Sequence, residues 1–390
     1  MKIFKSYNEF SLVLEATETL KMNLPKDIEV IHNAFKRAGF KLYVVGGSVR
    51  DAILKKTPKD FDLATDAKPD EVQRLLNNAN IHNFPKGEAF GVISATFKHG
   101  DDTEEYEIAT FREDIGKGRR PDAVNFTTID KDVLRRDLTI NALFYDIDTK
   151  EVVDLTGGIK DLMDKIIRTV GDPLERFGED DLRKLRALRF KHLLGAKLED
   201  KIDAALRKDP SLTNTSFPRR RDEFKKSIEK AKDAKLYLED IEEFNFWPEI
   251  FPELYNQINK DYISSNNFCV QLAQLFLNID MTSKIESYLK EKLAYEVDEI
   301  RAIIFLKMLT TFNPDNIIEV VKKRDIAGVD LKSALEFGKY NSIDSSIIKG
   351  IYDHVITTSG TDPEFSGLKG KAIGDKMREI ESEKFRKKYM

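Results

Sequence analysis

The sequence predicts an α+β protein, in which a small mixed sheet with helices is followed by an all-helical remainder. From Leu42 to about Asp148, strand-like runs alternate with short helical segments. After Gly157-Gly158 the strand signals fade, and the pattern is helical to the C-terminus. Prolines at 210, 218, 248, 252 and 314 mark the expected breaks between helices.

The α/β part, which we call the head, has a predicted order of elements. A helical segment over residues 1–35 comes first, with Phe10, Val13 and Leu14 as candidate packing positions. The following elements are a strand at Leu42–Val45, a helix at Ser48–Lys55 that Ser48 caps, a strand carrying Asp60 and Asp62, a helix at Asp70–Asn77, strands at Gly91–Phe97 and Glu105–Arg112, a helix around Arg135–Ala142, and a hairpin of Leu143–Ile147 with Glu151–Leu155.

Composition excludes several classes of protein. A chain of 390 residues, 34% charged and 41% hydrophobic, has room for roughly two to three domains. No run approaches the ~18 apolar residues of a membrane span, and residues 1–24 lack the features of a signal peptide. The single cysteine, Cys269, excludes an internal disulfide framework and a zinc ribbon. We therefore expect a cytoplasmic protein with no membrane partner.

The net charge of −4 argues weakly against a nucleic-acid partner, but a local basic footprint matters more than this average. Basic clusters occur at Lys117–Arg120, at Arg219–Arg221 with Lys225 and Lys226, and at Lys384–Lys388. Each cluster is equally compatible with an ordinary solvated surface. The candidate RNA-binding residues are Arg119, Arg120, Arg219, Arg220 and Lys369.

The first motif is a strand that stops at Gly46-Gly47 and continues into a helix. Glycines at such a turn let backbone N–H groups approach an anion, and the helix N-terminus adds a partial positive charge. Ser48 belongs to the same turn, and Arg50 can add a fork of donors to the same phosphate. The alternative interpretation is a simple turn.

The second motif is Asp60-Phe61-Asp62 in the next strand. Strand residues two apart point to the same face, so both carboxylates are predicted to face one way. Two carboxylates on one face suit Mg²⁺, and a phosphate cradle beside such a pair is the equipment for nucleotidyl transfer. Alone, the pair could be two solvated side chains.

Two further motifs lie downstream. In Arg135–Ala142, the pair Arg135 and Arg136 suits a triphosphate, whereas Asp137 and Asn141 suit ribose hydroxyls. In isolation this stretch could be merely a charged amphipathic helix. In the helix near residues 180–190, Asp180 and Arg183 are three residues apart and are predicted to be neighbours on one face. Arginines recur each turn of that helix, at Arg183, Arg186 and Arg189, and the alternative for this face is an ordinary surface salt bridge.

Together these motifs resemble the class II tRNA nucleotidyltransferase (CCA-adding enzyme) and bacterial poly(A) polymerase family, whose head is polymerase-beta-like. Residues 135–142 match its Arg-Arg-Asp-x-x-x-Asn-Ala motif at every position. Residues 171–190 resemble its Gly-Asp-Pro…Arg-Phe-x-Glu-Asp-Pro-x-Arg neck, with Asp181 in place of the usual proline. The resemblance is strong from residue 42 to 190 and faint between about 245 and 355.

The resemblance implies roles for further residues. Glu107 matches the acidic residue that precedes Ala-Thr-Phe-Arg and can complete the metal site as a third carboxylate, or it is an ordinary outward glutamate. Arg112 opens a loop that can contact primer or nucleotide. In this family the residues that match Asp180 and Arg183 read the incoming base. The implied segments are a catalytic head (1–156), a nucleotide-selecting neck (157–232), a helical body (233–355) and a tRNA-binding tail (356–390).

The implied function is template-independent addition of C and A to the 3′ end of tRNA, from CTP and ATP with Mg²⁺. Residues 86–93 resemble the Phe-Gly-Thr-Val stretch of CCA-adding members more than the basic stretch of poly(A) polymerases. Enzymes that add only CC or only A share these motifs and stay open as alternatives, as does a poly(A) polymerase. A non-catalytic RNA-binding protein is disfavoured because all three carboxylates are present.

Overall fold

The computed structural model describes residues 20–87, 91–116 and 123–390. One compact unit ends at Asp209, and a second begins at Pro210. The strands, all in the first unit, are β1 (Leu42–Val45), β2 (Asp62–Thr65), β3 (His82–Gly87), β4 (Val92–His99), β5 (Asp102–Thr110), β6 (Arg112–Ile115), β7 (Ala123–Phe126), β8 (Leu143–Asp146), β9 (Val152–Asp154), β10 (Ile166–Ile167) and β11 (Lys197–Leu198).

The helices of the first unit are α1 (Lys26–Arg37), α2 (Gly47–Ile53), α3 (Pro69–Asn78), α4 (Ile129–Asp132), α5 (Gly158–Asp164), α6 (Pro173–Glu179), α7 (Leu182–Leu194) and α8 (Asp200–Lys208). Those of the second unit are α9 (Phe217–Lys230), α10 (Ala234–Glu243), α11 (Trp247–Ile250), α12 (Phe268–Leu275), α13 (Ser283–Ser287), α14 (Val297–Thr310), α15 (Ile317–Ala327), α16 (Leu331–Tyr340), α17 (Ser345–Asp353) and α18 (Lys371–Tyr389). The predicted α+β class is confirmed.

The head is built on a seven-stranded mixed sheet in the order β3-β4-β5-β2-β1-β8-β9. Strands β2 and β5 are parallel, and the other neighbouring pairs are antiparallel. Apolar residues of α1 and α3 pack with Val44, Leu63 and Ile108 in one large core. Val45 and Ala64 belong to a smaller cluster with Phe144, as expected for residues that alternate across a sheet. Asp62, two residues before Ala64, therefore lies on the face away from α1 and α3.

Several predicted elements are confirmed. The helix after Pro69, the strands β4 and β5, and the hairpin of β8 with β9 form where the sequence places them. In β5, Tyr106, Ile108 and Thr110 are buried on one side, and Glu107 lies on the other. The candidate positions Phe10, Val13 and Leu14 lie outside the described residues.

The helix predicted around Arg135–Ala142 is wrong. This stretch forms two single 3₁₀ turns, Val133–Arg135 and Thr139–Asn141, with extended backbone at Arg136 between them. Two longer-range pairings override the helical pattern, because Leu138 bridges to Thr169 and the fully buried strand β8 pairs with β1. The spacing of Ile140, Leu143 and Phe144 correctly predicted that they are buried, but it did not predict the type of secondary structure.

Two smaller predictions are also corrected. Asp60 lies before the first residue of β2 rather than inside the strand. Ser48 does not cap α2, because the helix begins after Gly46, whose φ of 72° favours glycine. The Ser48 hydroxyl instead donates to the Val45 carbonyl (3.2 Å).

A second glycine is required where α5 approaches the Thr139–Asn141 turn. A Cβ atom at Gly158 would lie 2.1 Å from the Thr139 carbonyl oxygen, so a larger residue would push the helix away. The contact matters because α5 leads into the segment of α6 and α7, and because the turn carries Asn141.

The second unit is helical throughout and has an aromatic core. Phe224 of α9 packs against the rings of Tyr237, Trp247, Phe251 and Phe268, with centroid distances of 5.8–6.2 Å. The last helix, α18, is held by Phe385, which packs against Phe312, and by the buried Glu381. Among the described residues, no helix is long and apolar enough to cross a bilayer.

Candidate active site

Three carboxylates lie close together on one face of the head sheet, near the start of β2. Asp62 opens β2 opposite Val45, the residue that precedes the Gly46-Gly47 turn. The parallel register of Leu63 with Ile108 makes Asp62 and Glu107 neighbours on the same face. Asp60, two residues upstream, lines the same open cleft as Asp62 and Glu107. The structure thus brings together the three residues that the sequence singled out.

Lys86 of β3 was not predicted and lies inside this acidic cluster. Its ammonium is 2.7 Å from Glu105 Oε1 and 2.8 Å from Glu107 Oε1. The hydrogen bonds that Lys86 donates, first to Glu105 and then to Glu107, raise its pKa, so the ammonium stays charged at neutral pH. The residue could not be found from the sequence, because β3 reaches β5 only through the intervening strand β4.

The charges around Asp62 favour a cation. Asp62 is exposed at the cleft, but loss of solvent around its carboxyl group raises the pKa of that group. The charges of Glu107 and Asp60 raise the pKa further. Arg136 and Lys86 act in the opposite direction. Repulsion among carboxylates is relieved by a bound divalent cation.

The carboxylates at this site fit a metal ion whose coordination is completed by oxygen atoms of a substrate. Within the described residues, no three His, Cys, Asp or Glu side chains form a ready-made cage for a metal. Mg²⁺ typically uses one or two carboxylates and completes its shell with water and phosphate oxygens. The pair Asp60 and Asp62, open to the cleft, satisfies that requirement.

The Gly46-Gly47 turn lies next to the carboxylates, but one of its backbone N–H groups already donates a hydrogen bond within the protein. The Gly46 N–H donates to the Leu143 carbonyl (3.0 Å), so an incoming phosphate would meet the N–H groups of Gly47 and Ser48. A substituent at Gly46 would approach the Asn141 carbonyl to 3.7 Å. The turn is therefore packed directly against the Thr139–Asn141 turn.

Arg50 is predicted to add donors to a phosphate at the Gly46-Gly47 turn, but in the structure it donates to side chains of the protein. It is buried, its Nη1 donates to Asn141 Oδ1 (2.6 Å), and its Nε and Nη2 donate to Asp51 Oδ1 (2.9 and 2.8 Å). Asn141 Nδ2 in turn lies 3.4 Å from Asp137 Oδ1. This geometry makes Arg50 a bridge between α2 and the Asn141 turn.

The chain of contacts continues from Asp137 into α7. Arg186 reaches Asp137 Oδ2 through Nε (2.7 Å) and Nη2 (2.6 Å). Burial alone would raise the pKa of Asp137, but the charge and hydrogen bond of Arg186, together with the Leu138 N–H, lower it. The carboxylate thus stays ionised and joins the glycine turn to the neck.

Phe190 is a platform that the sequence indicated only as a packing residue. The guanidinium groups of Arg50, Arg186 and Arg189 lie 5.0, 5.7 and 4.3 Å from the centre of its ring. Such stacking orients cations without consuming their hydrogen-bond donors. The signal in the sequence was the recurrence of arginines at each turn before a phenylalanine.

A second group of arginines is organised by Asp132, which sequence reasoning missed. This buried carboxylate pairs with Arg135 (2.7 Å) and Arg136 (3.1 Å), and its Oδ1 accepts the Arg112 N–H (3.2 Å). Burial lowers the pKa of Arg136 and of Arg112, with the charge of Arg135 acting in the same direction. The spacing of three and four residues from Asp132 to the arginines could have indicated the pairs.

Asp180 and Arg183 flank the start of α7 and do not share a helix face. Asp180 has extended backbone (φ −150°, ψ 103°) between α6 and α7, and its carboxylate accepts the Leu182 N–H (3.2 Å). The Arg183 guanidinium donates to Glu179 (2.6 Å) and to the carbonyls of Arg176 (3.1 Å) and Arg135 (2.8 Å). The predicted pairing on a regular helix is corrected, because the helix begins only at Leu182.

The predicted RNA-binding residues fall into three groups. Arg119 and Arg120 lie outside the described residues. Lys369 is exposed and Arg219 is half-buried in the second unit. Arg220 is not on the surface as the basic cluster suggested, because its buried guanidinium donates to the Thr215, Leu212 and Glu249 carbonyls (2.8, 2.6 and 2.6 Å).

The sequence of the head identifies its family. Residues 42–168 match the family described as the Poly A polymerase head domain. This part of the chain is a Poly A polymerase head domain. The resemblance predicted from the motifs is thereby confirmed.

Curated relatives extend the match beyond the Poly A polymerase head domain. The CCA-adding enzyme of Bacillus subtilis (strain 168) is 39% identical over 235 residues, which are 59% of this chain and 56% of that protein. The CCA-adding enzyme of Lactobacillus helveticus (strain DPC 4571) is 44% identical over 198 residues, 48% of this chain and 46% of that protein. The chain thus spans about half the length of the curated relatives it matches.

Solved structures show that the fold continues through the helical remainder. A CCA-adding enzyme in its apo form II superposes with a TM-score of 0.69 at 21% identity, over 96% of this chain and 94% of that one. The Bacillus stearothermophilus CCA-adding enzyme in complex with CTP gives a TM-score of 0.62 at 23% identity, over 92% and 80%. Beyond the Poly A polymerase head domain, the chain therefore has the fold of these proteins.

Proposed function

We propose that this protein adds C and A nucleotides to the 3′ end of tRNA without a nucleic-acid template, using CTP, ATP and Mg²⁺ in the cytoplasm. The observation that carries the proposal is the meeting of Asp60, Asp62 and Glu107 in one cleft beside the Gly46-Gly47 turn. Curated relatives at 38–44% identity that are named CCA-adding enzymes support the same activity.

Asp60 and Asp62 are the residues proposed to hold the metal, with Glu107 beside them. A divalent cation bound there would supply charge neutralisation and activation of the attacking 3′-hydroxyl. The chain itself contributes the orientation of the triphosphate, through the Gly47 and Ser48 N–H groups and the cations Arg112 and Arg136. The ribose would meet Asp137 and Asn141, whose oxygens suit hydroxyl groups.

The base is proposed to be selected at the start of α7. Cytosine and adenine both present an amino donor beside a ring-nitrogen acceptor, whereas uracil and guanine invert both positions. Asp180 is acceptor-only and Arg183 is donor-only, so together they satisfy the first pattern and oppose the second. Arg186 holds the same helix to Asp137, and Arg189 stacks on the ring of Phe190 within that helix.

The defining experiment offers each of the four NTPs with tRNA that ends before CCA, after CC, and after CCA. We expect C, C and A to be added in order, with no extension of the complete end and no product without divalent metal. Products limited to CC or to A would assign a partial activity, and repeated A addition to a complete end would assign a poly(A) polymerase. No labelling of any tRNA would contradict the proposal.

Asp180→Ala tests base selection within the same assay. We expect the variant to admit UTP and GTP, because unpaired polar groups in a site support discrimination of order 10⁴. Glu175→Ala, an exposed carboxylate of α6, is the matched control and should keep wild-type selectivity. An unchanged preference for CTP and ATP in Asp180→Ala would show that the base is read elsewhere.

A further inference from the structure

We propose that Asp181 and Lys184 form a buried charge pair that positions Asp180 and Arg183 for base selection. The inference rests on the proposed function and assigns a role to two residues that do not contact the base themselves. They are positioning residues, acting through the backbone at the start of α7.

The pair is almost completely removed from solvent. Asp181 is 4% exposed and Lys184 is 1% exposed, and the Lys184 ammonium lies 3.4 Å from Asp181 Oδ1. The same ammonium is 2.9 Å from Asp209 Oδ2. A charged side chain is seldom buried to this degree, and its carboxylate partners are what make the burial tolerable. Lys184 is thus a buried cationic partner of Asp181.

Burial of Asp181 is not explained by helix capping. Its backbone is already near-helical (φ −55°, ψ −27°), and its side chain makes no capping hydrogen bond. In the family that this segment resembles, the usual residue here is proline, which holds φ near −65° through its ring. We infer that the ion pair with Lys184, one turn further along α7, holds the backbone of Asp181 in the conformation that a proline ring would impose.

The two base-selecting residues lie immediately on either side of this anchor. Asp180 precedes Asp181, and its carbonyl accepts the Arg183 N–H (3.0 Å). The Asp181 carbonyl likewise accepts the Lys184 N–H (3.0 Å). Since these bonds form the first turn of α7, a displacement of Asp181 moves the Asp180 carboxylate and the Arg183 guanidinium relative to each other.

The test is a rescue experiment on the full chain, with tRNA that accepts C or A. Lys184→Leu removes this buried ammonium, so the Asp181 carboxylate loses a cationic partner at a buried position, and we expect the start of α7 to shift. We expect the ratio of kcat/KM for CTP and ATP over UTP and GTP to fall at least about tenfold, since selectivity depends on the placement of polar groups. Adding Asp181→Pro to Lys184→Leu should restore the ratio. Lys201→Leu, an exposed lysine of α8, is the control.

Each outcome bears on the proposal. A folded Lys184→Leu variant with wild-type selectivity overturns it, and so does a loss that Asp181→Pro does not restore. If Lys184→Leu does not fold, the isosteric Asp181→Asn variant must show the same loss, and wild-type selectivity there overturns the inference. A wild-type enzyme that itself adds all four nucleotides equally would instead reject the proposed function.

Discussion

At Asp62 the proposed metal-binding role and the stability of the fold oppose each other. The surrounding protein, Glu107 and Asp60 raise the pKa of this carboxyl group, so its ionised form is less favourable in the folded state than in the unfolded state. An acid with a raised folded pKa costs stability at pH values above that pKa. We therefore expect Asp62→Asn to lower turnover to below a few per cent while leaving the thermal midpoint unchanged or higher.

Calorimetry and the tRNA labelling assay measure the two effects separately. Asp101→Asn, at an exposed turn between β4 and β5, is the matched control and should keep both properties of the wild type. A variant that is inactive and also less stable would indicate that Asp62 supports the fold, and the metal role would lose its basis.

Lys86 provides a test of the carboxylate cluster that does not depend on turnover. Lys86→Met removes the cation that bridges Glu105 and Glu107, so the cleft gains net negative charge. We expect Mn²⁺, used as a paramagnetic substitute for Mg²⁺, to bind severalfold more tightly in the absence of nucleotide. Electron paramagnetic resonance titration measures this directly, with Lys98→Met on β4 as the control. Weaker binding would mean that Lys86 helps to form the site and does not compete with the ion.

At the scale of elements, the sequence pattern correctly predicted features that depend on neighbouring residues in the chain. The alternation in β5 placed Glu107 on the face opposite Ile108, because strand geometry fixes which side chains share a face. The direction of Arg50 could not be predicted, since its partner Asn141 lies 91 residues away. The helix predicted before β8 was wrong for the same reason, because Leu138 pairs with Thr169, which is distant in the sequence.

The packing of helix α18 against the rest of the second unit depends on one buried carboxylate, that of Glu381. Burial alone would raise the pKa of Glu381, but hydrogen bonds from Thr358, Lys384 and His354 lower it to about 2. Its stabilising contribution is therefore fully present above the ordinary pKa near 4.5 and is lost as the pH falls toward about 2.

Glu381→Gln should destabilise the second unit by roughly 3 kcal/mol at pH 7, because it breaks a buried charged network. The difference from wild type should shrink as the pH is lowered below about 4. Urea unfolding at several pH values measures this, with the exposed Glu383→Gln of the same helix as the control. A difference that stays constant with pH would assign the effect to packing.

At the scale of the whole molecule, the proposed tRNA substrate is a polyanion, whereas the chain has 68 acidic residues against 64 basic ones. Long-range attraction cannot come from a net charge of −4, so the proposed tRNA binding would have to rely on local basic surface. Proteins recognise duplex RNA mainly by shape and by phosphate contacts, which makes binding weaken steeply with salt. Arg220 is unsuited to this role because it is buried, whereas Arg219 and Lys369 remain candidates.

Charge reversal at Arg219 and Lys369 together tests that surface. We expect Arg219→Glu with Lys369→Glu to raise KM for tRNA severalfold at low salt and to leave KM for ATP nearly unchanged, because the proposed nucleotide site lies in the first unit. The slope of log KM for tRNA against log salt should become shallower by about one for each phosphate that the variant no longer neutralises. The control pair, Lys98→Glu with Lys201→Glu, changes the net charge equally at exposed positions outside the basic clusters. If both pairs raise KM for tRNA alike, the effect is one of overall charge, and the two residues are not part of a tRNA footprint.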